Sequence, residues 1–269
     1  MSVLCRLYQV SRCGYYAWAA RGASPRADAN AKLWEHIVRI HAASRKTYGS
    51  PRIHQQLRRE GRCVSKTRIE RLMRQNGLKA RSATLYHANP GLHAFYTSIP
   101  NQQLDRIATG ADQLWVGDIT YLKVGTHWRY LSTVMDKYSR RIIGWSLSKN
   151  KDANLTLAAL NRAVWNRRPG PGLIFHSDRG IEFAAFAFRE RLQLLGFVQS
   201  MNRPGEMTDN AHMESFYHSM KSDVIHGRTF DTEKAVAHVI RGYIPFYNHH
   251  RLHSLLGYVP PVEYEQRCT

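Results

Sequence analysis

From Leu114 onward the chain alternates between two hydrophobic periods in an order that few folds accept. Three runs rich in β-branched and aromatic residues, Leu114–Val124, Trp128–Asp136 and Arg141–Leu147, follow one another with turn signals between them, as in an antiparallel meander. A helical pattern over 153–167 comes next, with Leu155, Leu157, Leu160, Ala163 and Val164 as its apolar residues, and ends at Pro169-Gly-Pro-Gly172. A short buried strand at Leu173–His176, a helix at 183–195, a strand at 197–201, a helix from near Asp209 and a long helix over 232–248 complete the series.

Strands, helix, strand, helix, strand, helices is the order of the ribonuclease-H-like α/β fold, a five-stranded mixed sheet flanked by helices whose strands carry acids. Three acids stand at the matching junctions. Asp118 lies in Trp115-Val-Gly-Asp118-Ile-Thr-Tyr121, Asp178 in Phe175-His-Ser-Asp178-Arg-Gly180 and Glu214 in Asp209-Asn-Ala-His-Met-Glu214-Ser-Phe216, with 35 residues between the last two. Asp118 should project from the middle of the first strand, Asp178 from the end of the fourth, and Glu214 from a helix. Three such carboxylates could hold two divalent cations about 3.5–4 Å apart, as in-line phosphoryl transfer requires. Mg2+ fits because it takes oxygen ligands and keeps several waters for a substrate to replace, and Mn2+ should substitute. Taken singly, each acid has an ordinary explanation in a turn, a strand cap or a solvated helix; their joint placement is what points to phosphodiester chemistry.

Lys221 follows Glu214 by seven positions, about two helical turns, and Asn210 precedes it by one turn. Both are candidates for DNA contact beside the acids, Lys221 through a phosphate and Asn210 with a helix-start role as its alternative.

The front of the chain reads as helical. Ser11 can cap a helix in Val10-Ser-Arg-Cys-Gly-Tyr-Tyr-Ala-Trp18, and a second helix covers 28–43 with Leu33, Trp34, Ile37 and Ile40 on one face. In Tyr48-Gly-Ser-Pro-Arg-Ile53, Ser50 can cap a helix that starts at Pro51 and buries Ile53 and Leu57. After a break at Gly61–Val64, Ser65 caps another helix ending at Asn76-Gly77, with Ile69, Leu72 and Met73 inward and Lys66, Arg68, Arg71 and Arg74 left outside. Two short helices around a tight turn predict a helix-turn-helix that grips DNA through these residues and Arg52. A solvated helical hairpin is the plainer reading. The expected organisation is a helical DNA-binding region over 1–81, a linker over 82–110 and a catalytic core with a helical extension over 111–269.

Charge supports a polyanionic partner. Lys and Arg number 39 against 20 Asp and Glu, a net +19, and residues 1–100 hold 18 of the former against 4 of the latter. No apolar run approaches the roughly 18 residues of a membrane span, and the first residues lack a signal-peptide layout. The four cysteines show no pairing pattern, which fits a reduced cytoplasmic setting near the nucleoid.

The motifs themselves bear a family resemblance. Trp115-x-x-Asp118-Ile-Thr-Tyr121, His176-Ser-Asp178-Arg-Gly180, Asp209-Asn-Ala-x-x-Glu214-Ser-Phe216 and Tyr247-Asn-x-x-Arg251-x-His-Ser-x-Leu-Gly-Tyr258 resemble the second-frame (OrfB) proteins of the insertion-sequence-three transposases, whose core is similar to retroviral integrase. Tyr48-Gly-Ser-Pro-Arg-Ile53 and Val10-Ser-Arg-x-Gly-Tyr-Tyr16 resemble the helical segment that precedes that core. The resemblance implies metal-dependent strand cleavage and strand transfer at element ends and into target DNA. It implies Asp118, Asp178 and Glu214 as the catalytic, metal-holding triad, Lys221 as the basic position after the glutamate, and Arg251 as a further DNA contact. It also implies a homo-oligomer on DNA and an upstream-frame (OrfA) partner or fusion. Integrase's amino-terminal zinc domain needs a cysteine pair that this chain does not offer, so no zinc is expected.

Two other readings remain open. His238-Val-Ile-Arg241 with Tyr264 has tyrosine-recombinase spacing, but that chemistry leaves the acidic motifs without a role. A regulator that grips DNA without cutting it is the second; only strand chemistry separates it from an enzyme.

Overall fold

A computed structural model describes residues 2–20, 24–80, 99–104, 106–203 and 207–267. The chain divides into two compact units, Met1–Ala80 and Arg81–Thr269.

The amino-terminal unit is all helical: α1 (Ser2–Leu7), α2 (Arg12–Ala19), α3 (Pro25–Ala43), α4 (Ser50–Arg59) and α5 (Lys66–Gln75). Ser11 caps α2 and Ser65 caps α5, accepting from the Gly14 and Arg68 amides at 2.9 and 3.4 Å. Helix α3 starts earlier than its apolar stripe suggests, because Ser24 caps it and Pro25 occupies its first turn. Ser50 is not the cap of α4. Gly49 holds that position without a side-chain bond, while the Ser50 hydroxyl donates to Glu70 on α5 at 3.2 Å. Leu33, Ile37 and Ile40 of α3, Ile53 and Leu57 of α4, and Ile69, Leu72 and Met73 of α5 are buried.

The second unit is built on a five-stranded sheet in the order β3-β2-β1-β4-β5. Strands β1 (Leu114–Val124), β2 (His127–Asp136) and β3 (Ile142–Ser148) form the antiparallel meander. Helix α6 (Ala153–Arg167) carries the chain to β4 (Ile174–Ser177), which runs parallel to β1, and β5 (Val198–Met201) runs parallel to β4. Between them the expected helix at 183–195 is two pieces, α7 (Ile181–Ala184) and α8 (Phe186–Leu194), separated by an extended Ala185. The break lets Phe183 and Phe188 close on each other edge to face, with ring centroids 5.4 Å apart, under β4. A 3-10 turn at Met207–Asn210 leads into α9 (Ala211–Met220); a π-helical segment follows at Lys221–Ile225, then α10 (Glu233–His249) and α11 (Pro261–Arg267).

Alternation along β1 splits the core between the two faces of the sheet. Trp115 packs with Val134, Leu160, Phe175, Phe183 and Phe188 on the α6–α8 side. Val116 packs with Leu131, Met213, Phe216, Met220, Ile240 and Tyr243 on the α9–α10 side. Gly144 allows α6 to lie directly on β3, since a Cβ there would stand 2.3 Å from the Ala159 carbonyl oxygen.

Most of the expected linker, residues 82–98 and 105, lies outside the described residues. Of its described residues, 99–104 and 106–110, the first stretch is bound to the sheet: the Met201 amide donates to the Pro100 carbonyl at 3.3 Å and the Gln102 amide to Ser200 Oγ at 2.8 Å. Among the described residues no helix is long and apolar enough to cross a membrane.

Candidate active site

Parallel pairing of β1 with β4 creates the site. Gly117 pairs with Ser177 at the end of the ladder, so Asp118 on β1 and Asp178, the first residue beyond β4, follow the same pair, near enough for the Asp178 charge to act on Asp118. Gly117 itself is packed against the Phe175 ring, which a Cβ would meet at 2.6 Å. Each aspartate is steered by a local amide: Asp118 Oδ1 accepts from Ile119 at 2.7 Å, and Asp178 Oδ1 from Gly180 at 3.0 Å.

Their electrostatics follow from crowding. Burial raises the Asp118 pKa well above the carboxylate range, and the charges of Asp178 and Glu214 raise it further against the opposing pull of the Ile119 amide and Lys151. Asp178 is raised as well, by burial first and by Glu182, while the Gly180 amide and Lys151 oppose the shift. Two carboxylates whose pKa values stay raised despite Lys151 are a setting that a hard divalent cation with oxygen preference fits. Among the described residues, no three His, Cys, Asp or Glu side chains are gathered closely enough to hold a metal ion. Glu214 is exposed on α9 and reaches Asp118 through charge rather than contact.

Helix α9 is fastened to β1 on both sides of Asp118. Asn210 Nδ2 donates to the Gly117 carbonyl at 3.3 Å, and Tyr217 Oη donates to the Asp118 carbonyl at 2.7 Å while accepting from Thr133 Oγ1 at 2.7 Å. Glu214 sits between these two anchors. Asn210 therefore corrects the expectation of a DNA contact: it is 4% exposed, and its amide holds the helix start to the strand. The phenol of Tyr217 was not singled out by sequence reasoning, although its place three residues after Glu214 on the helix was a usable signal.

The His176-Ser-Asp178-Arg-Gly180 motif fixes the Asp178 turn. His176 Nδ1 lies 2.8 Å from Ser200 Oγ and its Nε2 2.7 Å from Asn202 Oδ1, and burial lowers its pKa to about 4, so the ring is neutral. Arg179 Nε donates to the Asn202 carbonyl at 2.6 Å. Lys221 opens the π segment beyond α9, with its Nζ 4.6 Å from the centre of the Tyr121 ring. Burial lowers its pKa, and the Asp118 charge works in the opposite direction.

Arg251 also corrects an expectation. It is 4% exposed, and its Nε donates to Asp223 Oδ2 at 2.8 Å, an oxygen that accepts from Tyr243 Oη as well. A guanidinium buried in an ion pair is not offered to DNA.

Within the amino-terminal unit, Arg71 and Arg74 are exposed on α5. Lys66 is exposed as well, with its Nζ 3.5 Å from Glu70, while Arg68 is half-buried and its Nε donates to Asn30 on α3 at 2.8 Å. Arg52 lies over the Tyr48 ring at 5.8 Å.

Integrase core domain models match residues 108–207 and 214–268, and an HTH-like domain model matches residues 27–84. The chain is 32% identical over 273 residues to the transposase InsF for insertion sequence IS3A of Escherichia coli K12, covering 99% of this chain and 94% of that protein. It is 33% identical over 266 residues to a 31 kDa protein of insertion element IS600 from Shigella sonnei, covering 98% of each. A chain in the cryo-EM structure of a simian T-cell lymphotropic virus intasome shares the fold at TM-score 0.50 and 14% identity, covering 85% of this chain and 74% of that one.

Proposed function

The chain belongs to the IS3 family of insertion-sequence transposases, and from that premise we propose that it cleaves DNA at element ends and transfers the strand to target DNA through Asp118, Asp178 and Glu214. The β1–β4 register supports this reading, since Asp118 and Asp178 each follow the last pair of that ladder and burial raises the pKa of both. Asp118 and Asp178 would hold a shared divalent cation, and Glu214, carried on the anchored α9, would complete a second position. Mg2+, or Mn2+ in its place, would supply Lewis acidity and an activated water or 3′-hydroxyl.

The chain's own groups do the rest. Tyr217 and Asn210 hold α9 in register with β1, so the Glu214 carboxylate approaches from one direction. Lys221, beside Asp118, supplies positive charge to a DNA phosphate. Arg71 and Arg74 grip the duplex through the helical unit, with Lys66, Arg68 and Arg52 as further phosphate contacts. Assembly as a homo-oligomer on DNA, with an upstream-frame partner, and work on cytoplasmic DNA belong to the same proposal.

Incubation with labelled element-end DNA and Mg2+, joined by the upstream-frame protein, tests it. Cut ends and joined products free of attached protein are expected. A gel shift with every strand whole would identify a regulator, and a covalent protein–DNA adduct would identify a tyrosine recombinase.

A further inference from the structure

Asp178 has two neighbours that no motif explained. Glu182 on α7 is 4% exposed; its Oε1 lies 3.3 Å from Lys151 Nζ, and its Oε2 has no hydrogen-bond partner. A buried carboxylate oxygen without a donor is costly unless something else meets it. Gly180 shows where that oxygen points. A Cβ built on Gly180 would stand 2.8 Å from Glu182 Oε2 and 3.0 Å from Asp178 Oδ1. The two oxygens thus border one small space, and the missing side chain of Gly180 keeps it open.

Lys151 serves more than Glu182. Its charge acts on Asp118 and on Asp178, the same two aspartates that crowd each other. Yet its side chain is 48% exposed, a long flexible arm laid over an acidic centre from the solvent side.

We propose that Glu182 is a fourth carboxylate of the catalytic centre, presenting Oε2 to the divalent cation held beside Asp178, and that Lys151 is the counter-cation which that metal displaces. The inference rests on the metal-holding reading given above and adds a ligand to it. A lysine that neutralises the acids in the metal-free protein competes with the metal, so its removal strengthens metal binding. Loss of the Glu182 charge weakens it.

The test is a titration of the full chain, without DNA, by Mn2+, following the electron paramagnetic resonance signal of the free ion. Wild type is compared with Glu182→Gln, Lys151→Gln and Asp178→Asn, and with Glu190→Gln on the exposed side of α8 as a control. Glu182→Gln should weaken Mn2+ binding by about tenfold or more, Lys151→Gln should tighten it, and Glu190→Gln should leave it unchanged. If Asp178→Asn weakens binding and Glu182→Gln does not, the fourth carboxylate is overturned and the aspartate site stands. If Asp178→Asn is also without effect, both readings fall. Should Glu182→Gln not fold, the shortened Glu182→Asp decides: weaker Mn2+ binding supports the fourth carboxylate, and unchanged binding overturns it.

Discussion

Tyr217 Oη donates a 2.7 Å hydrogen bond to the carbonyl oxygen of Asp118, tying the helix that carries Glu214 to the strand that carries the first aspartate. The same phenol accepts from Thr133 Oγ1 on β2, so three elements meet at one buried oxygen. Tyr217→Phe removes that junction while keeping the ring. We expect a stability loss of about 1–3 kcal/mol, since buried partners are left unpaired. Strand transfer should slow while DNA affinity holds. Denaturant melts alongside a joining assay would check both, and equal joining rates would remove Tyr217 from the positioning of Glu214.

Asp118 makes a metal-free protein less stable, not more. Its folded pKa is raised, so at pH values between its unfolded and folded pKa the folded state binds more protons, and stability falls as pH rises through that window. Asp118→Asn keeps the Ile119 contact and discards the charge. Without divalent metal at neutral pH the variant should melt higher than wild type, and the difference should vanish below the ordinary carboxylate range. With Mn2+ added, wild type should gain stability and the variant little. Melting curves against pH, with and without metal, read all three effects.

The buried imidazole of His176 works with the opposite sign. Its folded pKa is about 4 against an ordinary 6.5, so the unfolded chain takes up a proton first as pH falls. The stability due to the neutral ring is present above pH 6.5 and is lost as pH drops towards 4. The loss is on the order of 3 kcal/mol at the acid end. A melt series over this range should show the decline, and a His176→Gln variant should show less of it.

Arginines that look alike in the sequence should behave differently. Arg251→Ala strips the Asp223 carboxylate of its buried partner and should cost roughly 3–5 kcal/mol of stability. Arg71→Ala and Arg74→Ala should leave melting nearly unchanged, weaken DNA binding and lower the salt slope by about one unit for each phosphate no longer neutralised. Salt-dependent binding curves beside denaturant melts separate the two kinds. An unchanged slope for both surface variants would place the DNA elsewhere.

How far the chain could be read depends on whether a feature is local. Strand β1 was legible because its run of β-branched and aromatic residues is continuous in the sequence, and the caps Ser11 and Ser65 act within three residues of themselves. Asp118 and Asp178 stood out because one lies within a strand-forming run and the other directly after one. Ser50 was not, since a serine before proline suits either the cap or the first turn, and its hydroxyl goes to Glu70 on another helix. Arg251 failed for the same reason: its partner Asp223 lies in a different segment, and burial is a property of the pair. Lys151 and Glu182 meet only after α6 has returned the chain to the sheet, so no spacing could have joined them. The π segment at Lys221 also escaped, because a face counted in α-helical turns ends at Met220.

Asp118, Asp178 and Glu214 are proposed to carry the strand chemistry, a role that stands or falls on catalysis by their variants. It is tested most directly by joining of a labelled element end to target DNA in Mg2+ by Asp118→Asn, Asp178→Asn and Glu214→Gln, with DNA binding measured on the same samples. We expect each variant to bind DNA as wild type does and to give no cut or joined product. Full turnover by any one of them would contradict the assignment of that residue, and full turnover by both aspartate variants would end the metal-centred reading of this site.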